Sequence, residues 1–154
     1  MIYTIIFEGV DRTGKTTLKE AFNKATKFKY LVFDRGIVSY VVYNKIYERR
    51  NYIPATKFFD NLHNSIVVLV EASKTILVNR MKNTNHPMIH DIEKEMLLFR
   101  KTVKILGRYR IPYIILKNNI DEDVNHCINQ LKKRIKDLNE VWSKEMSTMW
   151  DMGT

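Results

Sequence analysis

A phosphate-binding pattern lies near the start of the chain. Gly9 to Thr16 read G-x-x-x-x-G-K-T, which is the P-loop pattern. Gly9 and Gly14 allow backbone angles and a close approach that a Cβ would block. The lysine of this pattern can reach β- and γ-phosphates, and the threonine hydroxyl can ligate Mg²⁺. Lys15 and Thr16 therefore predict a site for a nucleoside triphosphate with Mg²⁺.

The pattern lies between a predicted strand and a predicted helix. Residues 2–7 form a β-branched and aromatic run of strand length. After the loop, apolar residues recur at helical spacing, at Leu18, Ala21, Phe22, Ala25 and Phe28. In such a strand–loop–helix unit, backbone N–H groups and the positive end of the helix dipole converge on phosphate oxygens. The alternative is a glycine turn that binds nothing, which this context disfavours.

A second pair of charged residues follows the next predicted strand. Residues 30–33 are apolar and of strand type, and Asp34 and Arg35 come directly after them. A carboxylate in this position can hold Mg²⁺ or its waters, as a Walker-B residue does. An arginine can bind a phosphate with two parallel hydrogen bonds. The alternative is an exposed ion pair at a strand end, and the neighbouring P-loop favours function.

Strand and helix patterns alternate along the rest of the chain. Helices are predicted at 37–50, 54–63, 73–81, 92–107 and about 128–149, and strands at 65–70 and 113–116. This alternation predicts βαβ units and a mostly parallel sheet, in which ligands bind beyond the carboxyl ends of the strands. The P-loop and Asp34–Arg35 lie at such ends and should face one cleft. The predicted fold class is a P-loop α/β sandwich.

Composition favours one ordinary globular domain covering residues 1–154. The chain is 45% hydrophobic and 28% charged, and it is long enough to bury a sizeable core. No apolar run reaches membrane-spanning length, and Met1 leads directly into the first strand without room for a signal peptide. The single cysteine, Cys127, excludes an internal disulfide and is expected to be a small buried residue. These features predict a cytoplasmic protein that does not use a membrane.

The net charge of +9, from 26 Lys and Arg against 17 Asp and Glu, favours anionic partners. Nucleotides and nucleic acid both fit this charge. The basic residues are spread along the chain, and short runs such as Arg49–Arg50 are usually solvated helix faces. The aromatic end of the last helix is typical of core or of a subunit interface, so a homodimer is left open.

At the first two motifs the sequence resembles a known family, the thymidylate kinases and more broadly the P-loop deoxynucleotide kinases. Residues 7–17 are similar to that family's P-loop, which is more specific than the general pattern. Asp34 to Ser39, with Tyr43, resembles its Asp-Arg-(Tyr/His)-x-x-Ser-x-x-Ala-(Tyr/Phe) segment. A weaker likeness extends over segments that correspond to the family's lid, the helix behind it, and the last strand and helix, at 80–82, 93–109, 113–119 and 121–135.

The resemblance implies ATP as donor, Mg²⁺, and a dTMP-like acceptor. It assigns the donor nucleotide to Gly9, Asp11, Thr13, Gly14, Lys15, Thr16, Thr17 and Arg80. It assigns the metal to Thr16, Asp34 and Glu8. It assigns the acceptor to Asp11, Arg35, Ser39 and Tyr43, with Asp11 at the sugar hydroxyl and Arg35 at the phosphate.

Two departures from the family concern the acceptor and catalysis. The family has an additional strand and two helices before its Asp-Arg segment, and these carry much of the acceptor-base pocket. Here the first helix should end near Phe28 and the next strand begins at Tyr30, so the chain is shortened. The sheet should have about four strands in the order 2-1-3-4, and base recognition does not carry over.

The second departure is that residues 81–99 contain no arginine. Some family members place a catalytic arginine in the lid and others in the P-loop, and Arg12 fits the second arrangement. The catalytic set implied is Lys15, Arg12, Asp34 and Arg35. The alternatives to Arg12 are Arg80 and Arg100.

The leading interpretation is an enzyme that transfers a phosphoryl group from ATP to a deoxynucleoside monophosphate. A kinase of polynucleotide 5′ ends or of nucleosides is a second interpretation, which the short acceptor region and positive charge allow. A nucleotide-binding regulatory protein that has lost catalysis is a third. Lys15, Thr16 and Asp34 argue against that third interpretation, while the missing acceptor pocket argues for it.

Overall fold

The computed structural model describes residues 1–50, 57, 62, 64–83, 91–119 and 124–152. The strands are β1 (Thr4–Glu8), β2 (Leu31–Asp34), β3 (Ser65–Glu71) and β4 (Tyr113–Lys117). The helices are α1 (Lys15–Ala25), α2 (Ile37–Ile46), α3 (Lys74–Asn83), α4 (Ile92–Arg108) and α5 (Val124–Met152).

The strands form a sheet in the order β2-β1-β3-β4, and every neighbouring pair is parallel. This order confirms the predicted four-stranded arrangement. β3 lies inside the sheet and all of its residues are buried. That burial explains why its sequence is apolar without alternation, since both faces of a parallel sheet are covered by helices.

Successive residues of β1 pack against helices on opposite faces of the sheet. Ile5 and Phe7 belong to a core with α1 and α5, whereas Ile6 belongs to a core with α2, α3 and α4. Phe22 of α1 and Phe99 of α4 are almost completely buried on the two faces. The described chain is therefore a three-layer α/β sandwich whose helices leave the carboxyl ends of β1 and β2 open.

The predicted helix over 37–50 is shorter in the structure and ends at Ile46. Glu48 has a left-handed backbone, with φ of 53°, and the Arg49 N–H donates to the Asn44 carbonyl at 2.7 Å. This pattern is a common way to end a helix and satisfy its last carbonyls. The helix predicted over 54–63 lies outside the described residues.

Two further sequence predictions concern single features of the described chain. Cys127 is buried in α5, where it is 1% exposed. No described helix combines the length and the apolar character that crossing a membrane requires.

Candidate active site

A cleft of about 560 Å³ lies at the carboxyl ends of β1 and β2. Its lining residues are Asp11, Arg12, Gly14, Lys15, Thr16, Thr17, Asp34, Arg35, Arg80 and Asn83. All of these except Asn83 are among the residues proposed from the sequence. The two motifs thus face one cleft because parallel strands bring their carboxyl ends to the same edge of the sheet.

The loop between β1 and α1 has a backbone that depends on glycine. Gly9 and Gly14 have φ angles of 137° and 87°, which other residues rarely adopt. A Cβ at Gly9 would also overlap the carbonyl of Val70, so the loop lies directly against the end of β3. Gly14 precedes α1, whose first N–H groups and positive dipole end form a site for a phosphate.

Lys15 is only 6% exposed, and its Nζ donates to the Val10 carbonyl at 2.6 Å. Burial, followed by the nearby Arg35 cation, lowers the pKa of Lys15 to about 8. The amine has therefore lost most of its hydration in the ligand-free cleft. A phosphate beside it would supply the negative charge that stabilises the protonated form.

Thr16 and Asp34 supply adjacent oxygen atoms at the cleft. The Thr16 hydroxyl donates to Asp34 Oδ2 at 3.1 Å. The other carboxylate oxygen, Asp34 Oδ1, is buried and has no hydrogen-bond partner among the described residues. A hydroxyl beside a carboxylate with an unused oxygen fits Mg²⁺, which prefers oxygen ligands and takes the rest of its shell from water and phosphates. Within the described ranges, no group of three His, Cys, Asp or Glu residues could hold a metal by itself.

Arg35 is held in a strained position across the cleft. Its φ is 68°, its N–H donates to the Phe7 carbonyl at 2.8 Å, and its guanidinium forms an ion pair with Asp11. The guanidinium also lies over the Tyr43 ring, 5.1 Å from the centroid. A non-glycine residue in this backbone region costs about 1–3 kcal/mol and is concentrated at functional sites. The left-handed backbone of Arg12, also at 68°, places a second such residue in the same cleft.

The Tyr43 ring lies beneath the Arg35 guanidinium, and contacts with α4 hold this ring in place. Its hydroxyl donates to Glu95 Oε1 at 2.7 Å, and its ring meets the edge of Phe99 at a centroid distance of 5.8 Å. Burial and the hydrogen bond to Glu95 raise the pKa of Tyr43 well above its ordinary value. Glu95, 8% exposed, was missed from the sequence. Its position between Ile92 and Phe99 on the apolar stripe of α4 was the available signal.

Glu8 and Ser39 hold α2 rather than line the cleft. Glu8 is fully buried, and its carboxylate accepts hydrogen bonds from the Gly36 N–H at 2.7 Å, the Ser39 N–H at 3.2 Å and the Ser39 hydroxyl. Burial raises the pKa of Glu8, and these donors oppose the rise. Glu8 was expected at the metal and Ser39 at the acceptor. In the structure Glu8 of β1 accepts hydrogen bonds at the start of α2, and Ser39, in the first turn of α2, donates two of them. The metal and acceptor roles of these two residues stay predictions.

Arg80 and Asn118 bind backbone carbonyls of the P-loop. Arg80 Nη1 donates to the Arg12 carbonyl at 2.8 Å, and Asn118 Nδ2 donates to the Thr13 carbonyl at 2.9 Å. Thr13 itself is buried, so its side chain does not line the cleft. Asn118 was missed from the sequence, although it directly follows β4. Residues at that edge of a parallel sheet are the ones that collect around a ligand.

The alternatives to Arg12 as a catalytic arginine have other contacts. Arg80 also lines the cleft, but its guanidinium donates to the Arg12 and Asn118 carbonyls. Arg100 forms two hydrogen bonds with the Glu71 carboxylate, at 3.1 Å from Nε and 2.5 Å from Nη2, in a separate cavity of about 210 Å³. Arg12 is exposed and lines the phosphate cleft.

Comparison with known proteins gives similarity in structure alone. No protein-family model and no curated protein matches the sequence significantly. The structure is similar to the YorR protein of Bacillus subtilis, solved in complex with phosphorylated GDP, with a TM-score of 0.62 and 16% identity over 92% of this chain and 98% of that chain. A thymidylate kinase from Candida albicans gives a TM-score of 0.48 and 12% identity over 90% and 92% of the two chains. At this identity the similarity to YorR shows a shared fold, the α/β sandwich with a parallel sheet described above.

Proposed function

We propose that the protein is a nucleotide kinase that transfers the γ-phosphoryl group of ATP to the phosphate of a deoxynucleoside monophosphate, with a dTMP-like acceptor. The observation that carries this proposal is the pairing of two phosphate-binding elements across one cleft. The P-loop with Lys15 forms one side, and Arg35 on its strained backbone forms the other. A cleft with two such elements suits a reaction in which two phosphate groups meet.

On the donor side, the N–H groups at the start of α1 and the Lys15 amine bind the β- and γ-phosphates of ATP. Thr16 and Asp34 would hold Mg²⁺, which would neutralise charge on the phosphate oxygens. Asp34 Oδ1 supports this assignment because it is a buried carboxylate oxygen without a partner among the described residues. Glu8 is left out of the metal site because its two oxygens are already occupied by α2.

On the acceptor side, Arg35 binds the monophosphate and Asp11 binds the sugar hydroxyl. In the ligand-free structure these two side chains form an ion pair, so the arriving acceptor separates them. An oxygen of the acceptor phosphate then attacks the γ-phosphorus, the bond to the β-phosphate oxygen breaks, and ADP leaves. Arg12 contacts the oxygens of the transferring group, where negative charge is spread in the transition state.

The experiment that tests the acceptor assignment compares Arg35→Ala with Arg49→Ala. Arg49 is a matched control, because its guanidinium also lies over a tyrosine ring, that of Tyr47 at 4.7 Å, but outside the cleft. Removal of charge-assisted hydrogen bonds to phosphate should lower kcat/KM for the acceptor roughly 10²-fold in Arg35→Ala, with little change in the KM for ATP. Arg49→Ala should keep parental kinetics.

The choice of acceptors decides between related activities. The panel contains the deoxynucleoside monophosphates, the corresponding nucleosides and an oligonucleotide with a free 5′ hydroxyl. Guanine nucleotides are included because YorR was solved with one. If Arg35→Ala weakens the binding of ATP as much as the binding of the acceptor, Arg35 serves the donor and the acceptor assignment fails. If nucleosides are better substrates than monophosphates, the phosphate-binding role of Arg35 fails.

A further inference from the structure

Side chains hold three backbone carbonyls of the P-loop. Each of these carbonyls accepts a hydrogen bond from a side-chain nitrogen. The contacts are Lys15 Nζ to Val10 O at 2.6 Å, Arg80 Nη1 to Arg12 O at 2.8 Å, and Asn118 Nδ2 to Thr13 O at 2.9 Å. The last of these connects residues 105 positions apart in the chain. Lys15 belongs to the loop, whereas Arg80 and Asn118 do not, so the loop conformation depends in part on residues from other segments.

The direction of a carbonyl fixes the direction of the next N–H group. A trans peptide unit is planar, and its C=O and N–H bonds point in opposite directions. The peptide bonds of the described residues are all trans. Because Asn118 holds the Thr13 carbonyl, the Gly14 N–H points away from Asn118. Gly14 lines the phosphate cleft, so this donor is directed towards a phosphate bound there.

Asn118 is itself rigidly placed. It is 2% exposed, its N–H donates to the Glu71 carbonyl at 2.7 Å, and its own carbonyl accepts from Arg80 Nη2 at 3.4 Å. Its side-chain nitrogen lies so close to Gly14 that a Cβ at Gly14 would overlap it. The ends of β3 and β4 thus fix Asn118, and Asn118 fixes the loop.

We propose that Asn118 is a positioning residue for the donor phosphates, which directs the Gly14 N–H into the cleft before a ligand arrives. The proposal rests on the proposed function, because it takes the P-loop as the donor site. Donors that are oriented in advance bind phosphate without the cost of ordering the loop. Asn118 acts through the Thr13 peptide and does not touch the phosphate.

The test measures binding of Mg²⁺ with inorganic tripolyphosphate, and separately with ATP, by calorimetry in Asn118→Ala. Asn119→Ala is the matched control, because the side chain of the neighbouring Asn119 also forms one hydrogen bond with the backbone, accepting from the Ser73 N–H at 2.8 Å, away from the loop. Loss of one positioning hydrogen bond should raise the Kd of both ligands roughly five- to tenfold in Asn118→Ala. The control should bind within about twofold of the parent, and the acceptor KM should not change in either variant.

A second measurement separates positioning from general stability. The chain has five glycines, so selective ¹⁵N-glycine labelling yields a small set of amide signals. In the ligand-free protein, Asn118→Ala should shift the Gly14 amide signal, whereas Asn119→Ala should leave it in place. Should Asn118→Ala not fold, Asn118→Leu keeps a similar side-chain volume without a charge or a donor to the Thr13 carbonyl, and the same shift and loss are expected.

The outcomes distinguish this proposal from the proposed function. Parental binding of tripolyphosphate in folded Asn118→Ala, or equal losses in Asn118→Ala and Asn119→Ala, would overturn the positioning role and leave the kinase assignment intact. A parent protein that binds neither tripolyphosphate nor ATP would overturn the kinase assignment. An unchanged Gly14 signal in Asn118→Ala would overturn the positioning role in either case.

Discussion

At the scale of single residues, Lys15 is a cation that the fold buries before any phosphate is bound. Its Nζ has a carbonyl as hydrogen-bond partner, and burial lowers its pKa to about 8. A bound phosphate favours the protonated amine and therefore raises this pKa again. Binding and protonation of Lys15 are thus linked, and the linkage should be visible above pH 8.

The first prediction follows from that linkage. Below pH 8 the free amine is already charged, whereas above pH 8 binding must take up a proton. The affinity for ATP should therefore fall as the pH rises above about 8, by up to tenfold per pH unit. Calorimetry at pH 7 and pH 9, in two buffers of different ionisation enthalpy, measures both the affinity and the proton uptake. A folded parent protein whose ATP affinity and proton uptake are the same at both pH values would contradict this account, and Lys15→Ala should show no uptake.

A second residue-scale prediction concerns Arg12. Substitution by lysine keeps the charge and removes the planar donor fork, so it isolates the geometric contribution of the guanidinium. In single-turnover assays at saturating nucleotides, Arg12→Lys should be slower by roughly 10²-fold or more, with nucleotide binding preserved. Arg80→Lys should mainly weaken the binding of ATP, because Arg80 holds the Arg12 carbonyl. Arg100→Lys should mainly lower stability, because Arg100 binds Glu71.

One outcome of these assays would contradict the role proposed for Arg12. If Arg12→Lys turns over at the parental rate while Arg80→Lys or Arg100→Lys loses the chemical step, the assignment of Arg12 to the transferring phosphoryl group is wrong.

At the scale of the elements, the N-terminus of α2 is capped from another element. Gly36, which precedes α2, has no side chain to offer, and the Glu8 carboxylate of β1 accepts hydrogen bonds from the first turn. Arg35 lies between β2 and this cap. The connection from β1 to α2 therefore helps to hold Arg35 in its left-handed conformation.

The prediction at this scale is that Glu8→Gln lowers the free energy of unfolding by about 2–3 kcal/mol, because the amide cannot accept all of these hydrogen bonds. Ser39→Ala should cost about 1 kcal/mol. Ser143→Ala is the control, since the Ser143 hydroxyl is exposed and donates to the Asn139 carbonyl of its own helix at 3.0 Å. Urea unfolding is measured in EDTA, so that no divalent metal contributes. A Glu8→Gln variant that is as stable as the parent but binds Mg²⁺ more weakly would contradict this prediction. Glu8 would then belong to the metal site.

The elements also show what local sequence patterns predict and what they leave out. The positions of the strands were predictable because each is a short apolar run, and their order was predicted with the family resemblance. The P-loop and Asp34–Arg35 were predictable because each is a continuous motif. Glu8 was expected at the metal because of the family resemblance, and its contact with Ser39, 31 residues away, has no local signature. The Tyr43–Glu95 and Asn118–Thr13 contacts, 52 and 105 residues apart, arise only when the sheet is assembled.

At the scale of the whole molecule, the proposed donor and acceptor groups lie at one edge of the sheet, inside a strongly basic chain. A net charge of +9 attracts mononucleotides and nucleic acid alike, so charge does not choose between a nucleotide kinase and a kinase of polynucleotide ends. β2 begins six residues after the end of α1, at Leu31 after Ala25, so little chain is available there for an acceptor-base pocket. The choice depends on where the phosphoryl group goes.

The most direct test of the central claim follows the label from γ-³²P-ATP in the presence of Mg²⁺. Parallel reactions contain dTMP, the other deoxynucleoside monophosphates, thymidine, or an oligonucleotide with a free 5′ hydroxyl. The account predicts label in a deoxynucleoside diphosphate, with dTMP as the leading acceptor, and no label in the product of thymidine or in the oligonucleotide. Label that appears only at the oligonucleotide end, only on the nucleoside, or in no acceptor at all would contradict it.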